Sequence, residues 1–283
     1  MSTPRFGPAG GSESFLSEKK HASIDAPAWL HARGLNALEV QFGRGVGMGE
    51  KTARLLGERA KENDIALSVH SPYYISLSNP DALEKNLNYI KQSATAANWM
   101  GANKVVVHTG STKGMTREQA LDNSADTLTA ALVMLNELNL SHITLCPETM
   151  GKINQLGTLS EVLELCVRLP KLAPCVDFGH LYARTLGELT TRAQFAAILD
   201  EIEATIGDDK ARLLHCHFSQ IEYTSGGEFK HLKYNNGEFG PDFALLAKLF
   251  AERKYTPTII CESAGTQAED AAAMRDMLRE ATS

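Results

Sequence analysis

Eight short apolar runs recur along the chain, separated by longer amphipathic stretches, and this alternation restricts the fold more than any other feature. The runs are PRFG, ALEVQF, IALSVHS, KVVVHT, HITLCPE, LAPCVDFG, LLHCHFS and TPTIICES. They have strand length and are rich in β-branched residues. Between them, stretches such as 83–101, 116–138, 159–169, 189–206, 243–253 and 267–280 carry helical spacing. Parallel strands need long crossover connections, which helices supply, so the pattern reads as consecutive βα units. Eight such units in 283 residues, 43% of them hydrophobic, predict an α/β chain folded as a closed (β/α)8 TIM barrel, with residues 1–283 as one domain. A doubly wound open sheet is the competing arrangement. It would normally carry a glycine-rich dinucleotide turn after a strand, and none is present.

Local signals agree with this reading. SNPDALEKN offers a helix N-cap near Asn79, with Pro80 and Asp81 in the first turn, and GPDFALL places Pro241 and Asp242 similarly. Residues 219–242 form the longest irregular segment, and connections of that length are usually functional. The five cysteines form no CxxC pair, and most lie in apolar runs, which predicts buried thiols in a reducing compartment. The N-terminal MSTPRFGPAGG lacks an apolar signal-peptide core, and no apolar run approaches the ~20 residues of a membrane span. The expectation is a cytoplasmic protein with no membrane partner. A net charge of −6 means that nucleic-acid binding would need a local basic patch.

In a barrel, chemistry is carried at the C-terminal ends of the strands, and the polar residues of this chain collect there. The third run ends at His70, the fourth at His108, the fifth at Glu148, the sixth at Asp177 with His180 beyond it, and the eighth at Glu262. His231 lies in the long segment after the seventh run. That run offers His215 and His217, which alternation places on one side of a strand, so that either could serve. Each residue alone has an ordinary structural explanation, as a bonded histidine or a helix cap. Six consecutive strand ends of metal-ligand type converging on one rim are a different matter, because carboxylates crowded in a low-dielectric mouth repel unless cations neutralise them. Mixed imidazole and carboxylate donors suit Zn²⁺, and also Mn²⁺ or Fe²⁺.

The ordered motifs HSPYYISLSNP, VVVHTGS, LCPETMG, CVDFGHLYA, LLHCHFS, KHLKYNNGEFG and IICES resemble those of the endonuclease IV family of abasic-site DNA endonucleases over nearly the whole chain. The resemblance implies a TIM barrel holding two or three zinc ions. In that scheme His70, His108 and a bridging Glu148 hold one ion; Asp177, His215 and Glu262 share Glu148 around a second; His180 and His231 hold a third. It thus prefers His215 to His217. It also implies that Glu148 and Glu262 are catalytic, that the partner is double-stranded DNA carrying abasic or 3′-blocked sites, and that cleavage falls 5′ to the abasic site, leaving a 3′-hydroxyl. The protein is expected to act as a monomer. One position departs from the family. An Asp usually stands two residues before the last histidine, where this chain has Phe229; Glu228 beside it is the candidate replacement. Tyr73, Tyr74 and Arg44 are the candidates for DNA contact, with Lys113, Lys152, Arg184, Lys230 and Lys233 as a local basic patch.

Sugar isomerases and epimerases of the xylose-isomerase-like barrels form the main rival. They use one ion held by late-strand carboxylates and a histidine, a pattern that Glu148, Asp177, His215 and Glu262 alone would satisfy. In a one-metal site, His70, His108, His180 and His231 would have no shared purpose. A metal-binding scaffold without catalysis is the remaining reading, and a rim of desolvated ionisable groups is costly to maintain without a task.

Overall fold

The computed structural model describes residues 3–18 and 22–282, and each apolar run forms a strand. The strands are β1 (Arg5–Pro8), β2 (Ala37–Gln41), β3 (Ala66–His70), β4 (Lys104–Val107), β5 (Thr144–Pro147), β6 (Cys175–Asp177), β7 (His215–Phe218), β8 (Gln220–Thr224), β9 (Gly227–Leu232) and β10 (Thr258–Cys261). Two parallel arcs, β2-β3-β4-β5 and β6-β7-β10-β1, follow chain order apart from the inserted β8–β9 pair. Single bridges between Ala9 and Glu39 and between Glu148 and Cys175 join the arcs at both seams. The eight strands therefore close into the expected (β/α)8 barrel.

The anticipated helices are Leu83–Met100, Arg117–Glu137, Leu159–Arg168, Arg192–Ile206, Phe243–Glu252 and Gln267–Thr282. Three begin with reciprocal caps, in which Thr116, Thr158 and Thr191 each accept the N–H of a residue three positions on, and Gln119, Glu161 and Gln194 reach back to the cap. Each cap is worth about 1 kcal/mol. Asn79 caps the turn Pro80–Ala82, and Asp242 is itself the cap of its helix, accepting from Ala244 N–H.

The segment 219–242 is not irregular throughout, as its sequence suggested. Most of it is the antiparallel hairpin β8–β9, whose alternating QIEYT and GEFKHL meet at a Ser225–Gly226 turn. The hairpin docks on the loop after β5 through Glu228 N–H to Gly151 O (3.1 Å) and Ile153 N–H to Gly226 O (3.0 Å). A Cβ on Gly227 would stand 2.3 Å from Gly151 O, so the two backbones meet only because that position is glycine.

Strand alternation divides the barrel into two environments. Outward residues such as Leu38, Val69, Val105, Val107, Leu145, Val176, Phe218 and Ile259 pack against the helices in two large apolar clusters. Inward residues are small or apolar deep in the barrel, where Ala37 meets Ile260 and Val106 meets Cys146 and Cys175. Towards the C-terminal rim the inward positions turn polar, and the cluster described next is built there. All five cysteines are free and buried. Among the described residues no helix is long and apolar enough to cross a membrane.

Candidate metal centre

Counting from the C-terminal ends of the strands assigns the rim residues. His70 and Asp177 are the last residues of β3 and β6, while His108, Glu148 and Glu262 directly follow β4, β5 and β10. On β7 the register pairs His217 with Asp177 and His215 with Cys175. His217 thus lies in the rim layer and His215 one layer below. This departs from the preference for His215. The two histidines do share a side of the strand, but a two-residue step towards the N-terminus lowers a side chain by about 6–7 Å. Counting from the strand end could have made the distinction.

Three sets take in all the rim donors, with ligand atoms in each set within 4.8 Å of one another, and a fourth, His70, His217 and Glu262, links the first two. In the first, Glu148 Oε2 stands 3.3 Å from both His70 Nε2 and His108 Nε2. In the second, Glu148 Oε1 lies 2.8 Å from His217 Nδ1, which is 3.5 Å from Glu262 Oε1, and Asp177 completes the group. In the third, Glu228 reaches His180 Nε2 (3.5 Å) and His231 Nε2 (3.7 Å). Glu148 therefore belongs to two sets, one oxygen to each. All of these side chains except Asp177 and His217 line a cavity of about 400 Å³ whose wall also includes Gln41, Tyr73, Met150, Lys152 and Gln155.

The pairing of Asp177 and His180 has a local cause. Asp177 caps the short helix Phe178–Arg184, its Oδ1 accepting the His180 N–H at 2.8 Å, so the cap delivers both side chains to one place. Between them, a Cβ on Gly179 would stand 2.5 Å from Ser219 O, a distance only glycine allows. Glu228 reaches the cluster through a β-bulge. Tyr223 opposes Glu228 and Glu222 opposes Lys230, leaving Phe229 as the extra residue. Without it, residues three apart would face opposite sides; with it, Glu228 and His231 share one side. The Phe229 ring itself is 60% exposed.

The outer nitrogens of three rim histidines are already engaged. His70 Nδ1 is bonded to Ser71 O (2.9 Å), His180 Nδ1 to Thr149 O (2.8 Å) and His231 Nδ1 to Ser219 Oγ (2.8 Å). Each ring therefore turns Nε2 towards the carboxylates, as metal-binding histidines do. Asp177 Oδ2 is fully buried and has no hydrogen-bond partner. Burial opposes charge on every group here, but the groups answer one another. Burial would lower His70, yet its bond to Glu148 and the charge of Glu148 hold it up at about 9. Against the same burial, the charges of Asp177, Glu228 and Glu148 raise His180 to about 10. Burial raises the Asp177 carboxyl, while Glu148 stays well below the usual carboxylate range because His217 and its imidazole neighbours outweigh desolvation. Cationic imidazoles thus balance the carboxylates in the positions a divalent cation would balance. The donor set, the oriented rings and the Asp177 oxygen, which has only a 3.4 Å contact with His180 Nδ1 and no hydrogen bond, fit bound divalent ions of the zinc type.

Other expected residues fall into place unevenly. Tyr73 and Tyr74 are half exposed on the rim with ring centroids 5.6 Å apart, and the Tyr73 ring lies against Gly43, next to exposed Arg44. Arg184 is not a free member of a basic patch, because its guanidinium donates to the carbonyls of Met150, Lys152, Ile153 and Gln155. Lys230 pairs with Glu222 at 2.9 Å. Sequence reasoning missed Glu39, buried on β2 beneath His217. Its signal was present, since Glu39 is a lone carboxylate inside the apolar run ALEVQF, at the inward parity of Ala37 and Gln41.

Residues 27–281 match the family model described as the xylose isomerase-like TIM barrel. An uncharacterized protein of Methanocaldococcus jannaschii is 34% identical over 91% of each chain. A probable endonuclease 4 of Oceanobacillus iheyensis is 26% identical, aligned over 58% of this chain and 56% of that one, and that of Staphylococcus carnosus is 24% identical over 65% and 62%. The chain thus spans about three fifths of the length of those two relatives. Among solved structures, endonuclease IV from Thermus thermophilus superposes with a TM-score of 0.68 at 20% identity, covering 98% of this chain and all of that one. A D-tagatose 3-epimerase-like protein gives 0.66 at 21% identity, over 87% and 88%. At these identities the two structures speak for the fold.

Proposed function

The chain belongs to the xylose isomerase-like TIM barrel family, and from that premise we propose that it is a metal-dependent endonuclease of the endonuclease IV type. It cleaves the DNA phosphodiester on the 5′ side of abasic sites, leaves a 3′-hydroxyl and trims blocked 3′ ends. The observation that carries this reading is the presence of three donor sets, two of them sharing Glu148, including histidines in excess of what one ion needs. His70, His108 and Glu148 would hold one zinc ion; Glu148, Asp177, His217 and Glu262 a second; His180, Glu228 and His231 a third. When bound, such ions neutralise phosphate charge, activate a nucleophile at neutral pH and stabilise the leaving oxygen.

The chain's own residues do the rest. Backbone carbonyls and Ser219 hold the histidines in one ring orientation. Burial of Glu148 and Asp177 excludes water that would screen them. The exposed rim pair Tyr73 and Tyr74, with Arg44 beside it, would enter the gap left by a missing base, where unstacking costs least.

The test is cleavage of a labelled duplex bearing one abasic analogue that cannot undergo β-elimination, run on a denaturing gel with zinc-loaded protein and an E262Q control. A nick with a 3′-hydroxyl, absent in the control, is the expected outcome; no nick by metal-loaded protein refutes the proposal. The sugar-epimerase reading keeps one specific observation in its favour, because Glu148, Asp177, His217 and Glu262 form a four-ligand set on their own. C3 epimerisation of a ketohexose by the same preparation, without a nick, would establish that reading instead.

A further inference from the structure

One buried carboxylate of the barrel has no part in the three donor sets. Glu39 is fully buried, and four side chains converge on it. Its Oε2 accepts from Ser68 Oγ (2.8 Å) and lies 2.9 Å from His215 Nε2. Its Oε1 stands 2.9 Å from His217 Nε2, in an ion-pair contact rather than an aligned hydrogen bond, and 3.3 Å from the Gln41 amide above it. A buried carboxylate survives only with compensating donors, and here two of them are the neighbouring histidines of β7.

His217 is also unlike the other rim histidines. His70, His180 and His231 rest Nδ1 on a neutral oxygen and present Nε2. His217 presents Nδ1 to Glu148 and Glu262 instead, so that its Nε2 is the outer nitrogen, and what that nitrogen meets is Glu39. The outer nitrogens of His180 and His231 also have carboxylates nearby, Asp177 Oδ2 at 3.4 Å and Glu262 Oε2 at 3.9 Å, but of these four only that of His217 stands within 3 Å of one and has no neutral oxygen bonded to it. A carboxylate behind a ligating imidazole fixes the tautomer and raises the basicity of the nitrogen in front.

We propose that Glu39 is a positioning residue, which accepts a hydrogen bond from Nε2–H of His217 and holds the ring with Nδ1 facing the site where Glu148, Asp177 and Glu262 would hold an ion. His215, held out of the rim layer by its register, then has a task of its own. With Ser68 it pins the other oxygen of Glu39, so the anion cannot turn away. This inference rests on the metal reading of the rim, and the experiment separates the two.

Zinc is loaded into the wild-type chain and into E39Q, and affinity is measured by titration with a competing chelator. E39Q is expected to bind one ion about 10–100-fold more weakly, a range typical of lost outer partners, while the remaining ions are unchanged. In parallel, two-bond ¹H–¹⁵N correlation of the zinc-loaded wild type, with the His217 signals assigned from H217Q, is expected to show the Nε2–H tautomer. That readout involves no substitution at Glu39 and stands even if E39Q fails to fold. An Nδ1–H tautomer at His217, or equal zinc affinity in folded E39Q, overturns the role of Glu39. A wild type that binds no zinc overturns the metal reading on which it rests.

Discussion

Glu148 is the residue on which the rim converges, touching His70 and His108 through one oxygen and His217 through the other. A ligand shared in this way would serve two ions. Glu148→Gln is therefore expected to abolish abasic-site cleavage and to lower metal content by more than one ion per chain, as read by elemental analysis. Loss of a single ion with activity retained would disprove the sharing. Protons make a second prediction. His70 and His180 are held at about 9 and about 10, above the ordinary imidazole value of about 6.5. In the zinc-free chain their stabilising contribution is fully present below that ordinary value and fades as pH rises through 9 to 10. Zinc must displace those protons, so uptake at pH 7 should release them to a pH indicator, and apparent affinity should climb with pH up to that window. Uptake without proton release would contradict the assignment.

At the scale of elements, the third donor set depends on how the β8–β9 hairpin sits on the loop after β5. A Cβ on Gly151 would lie 2.7 Å from Glu228 Cβ and 3.0 Å from the His180 ring. Gly151→Ala should push Glu228 outward, costing one ion of the three while leaving the Glu148 sets filled, by metal analysis. The bulge makes the converse prediction. Deleting Phe229 gives GEKH, in which ordinary alternation puts the Glu and His on one face without a bulge. The deletion should keep the full metal content, and a loss of one ion would show that the bulge does more than correct parity.

At the scale of the whole molecule, the five thiols report on barrel integrity. Burial raises Cys146 to about 11 and both Cys166 and Cys261 to about 12, and pushes Cys175 and Cys216 well above the normal thiol value. Thiolate is the reactive form. The native chain should therefore leave all five cysteines unmodified by an aromatic disulfide reagent at pH 8, and release five equivalents in denaturant. Fast labelling of any one would place it outside the packed layers.

The barrel was legible because its signal is local. Each strand is a short apolar run, each crossover has helical periodicity, and eight repeats leave few ways to bury both faces of a parallel sheet. The rim was legible too, as ligand-type residues at strand ends from His70 to Glu262, since alternation and chain direction are properties of a single strand. What only the tertiary structure decided are relations between strands. The register of β7 against β6 put His217 level with Asp177 and sank His215 beside Cys175. The mispairing that makes Phe229 a bulge turned Glu228 towards His231. Barrel closure brought Glu39 of β2 beneath β7, across 178 residues of chain (217 less 39). Sequence periodicity says which way a side chain points; how high it stands, and which residue from across the ring it meets, depend on hydrogen-bond registers set only when the sheet closes.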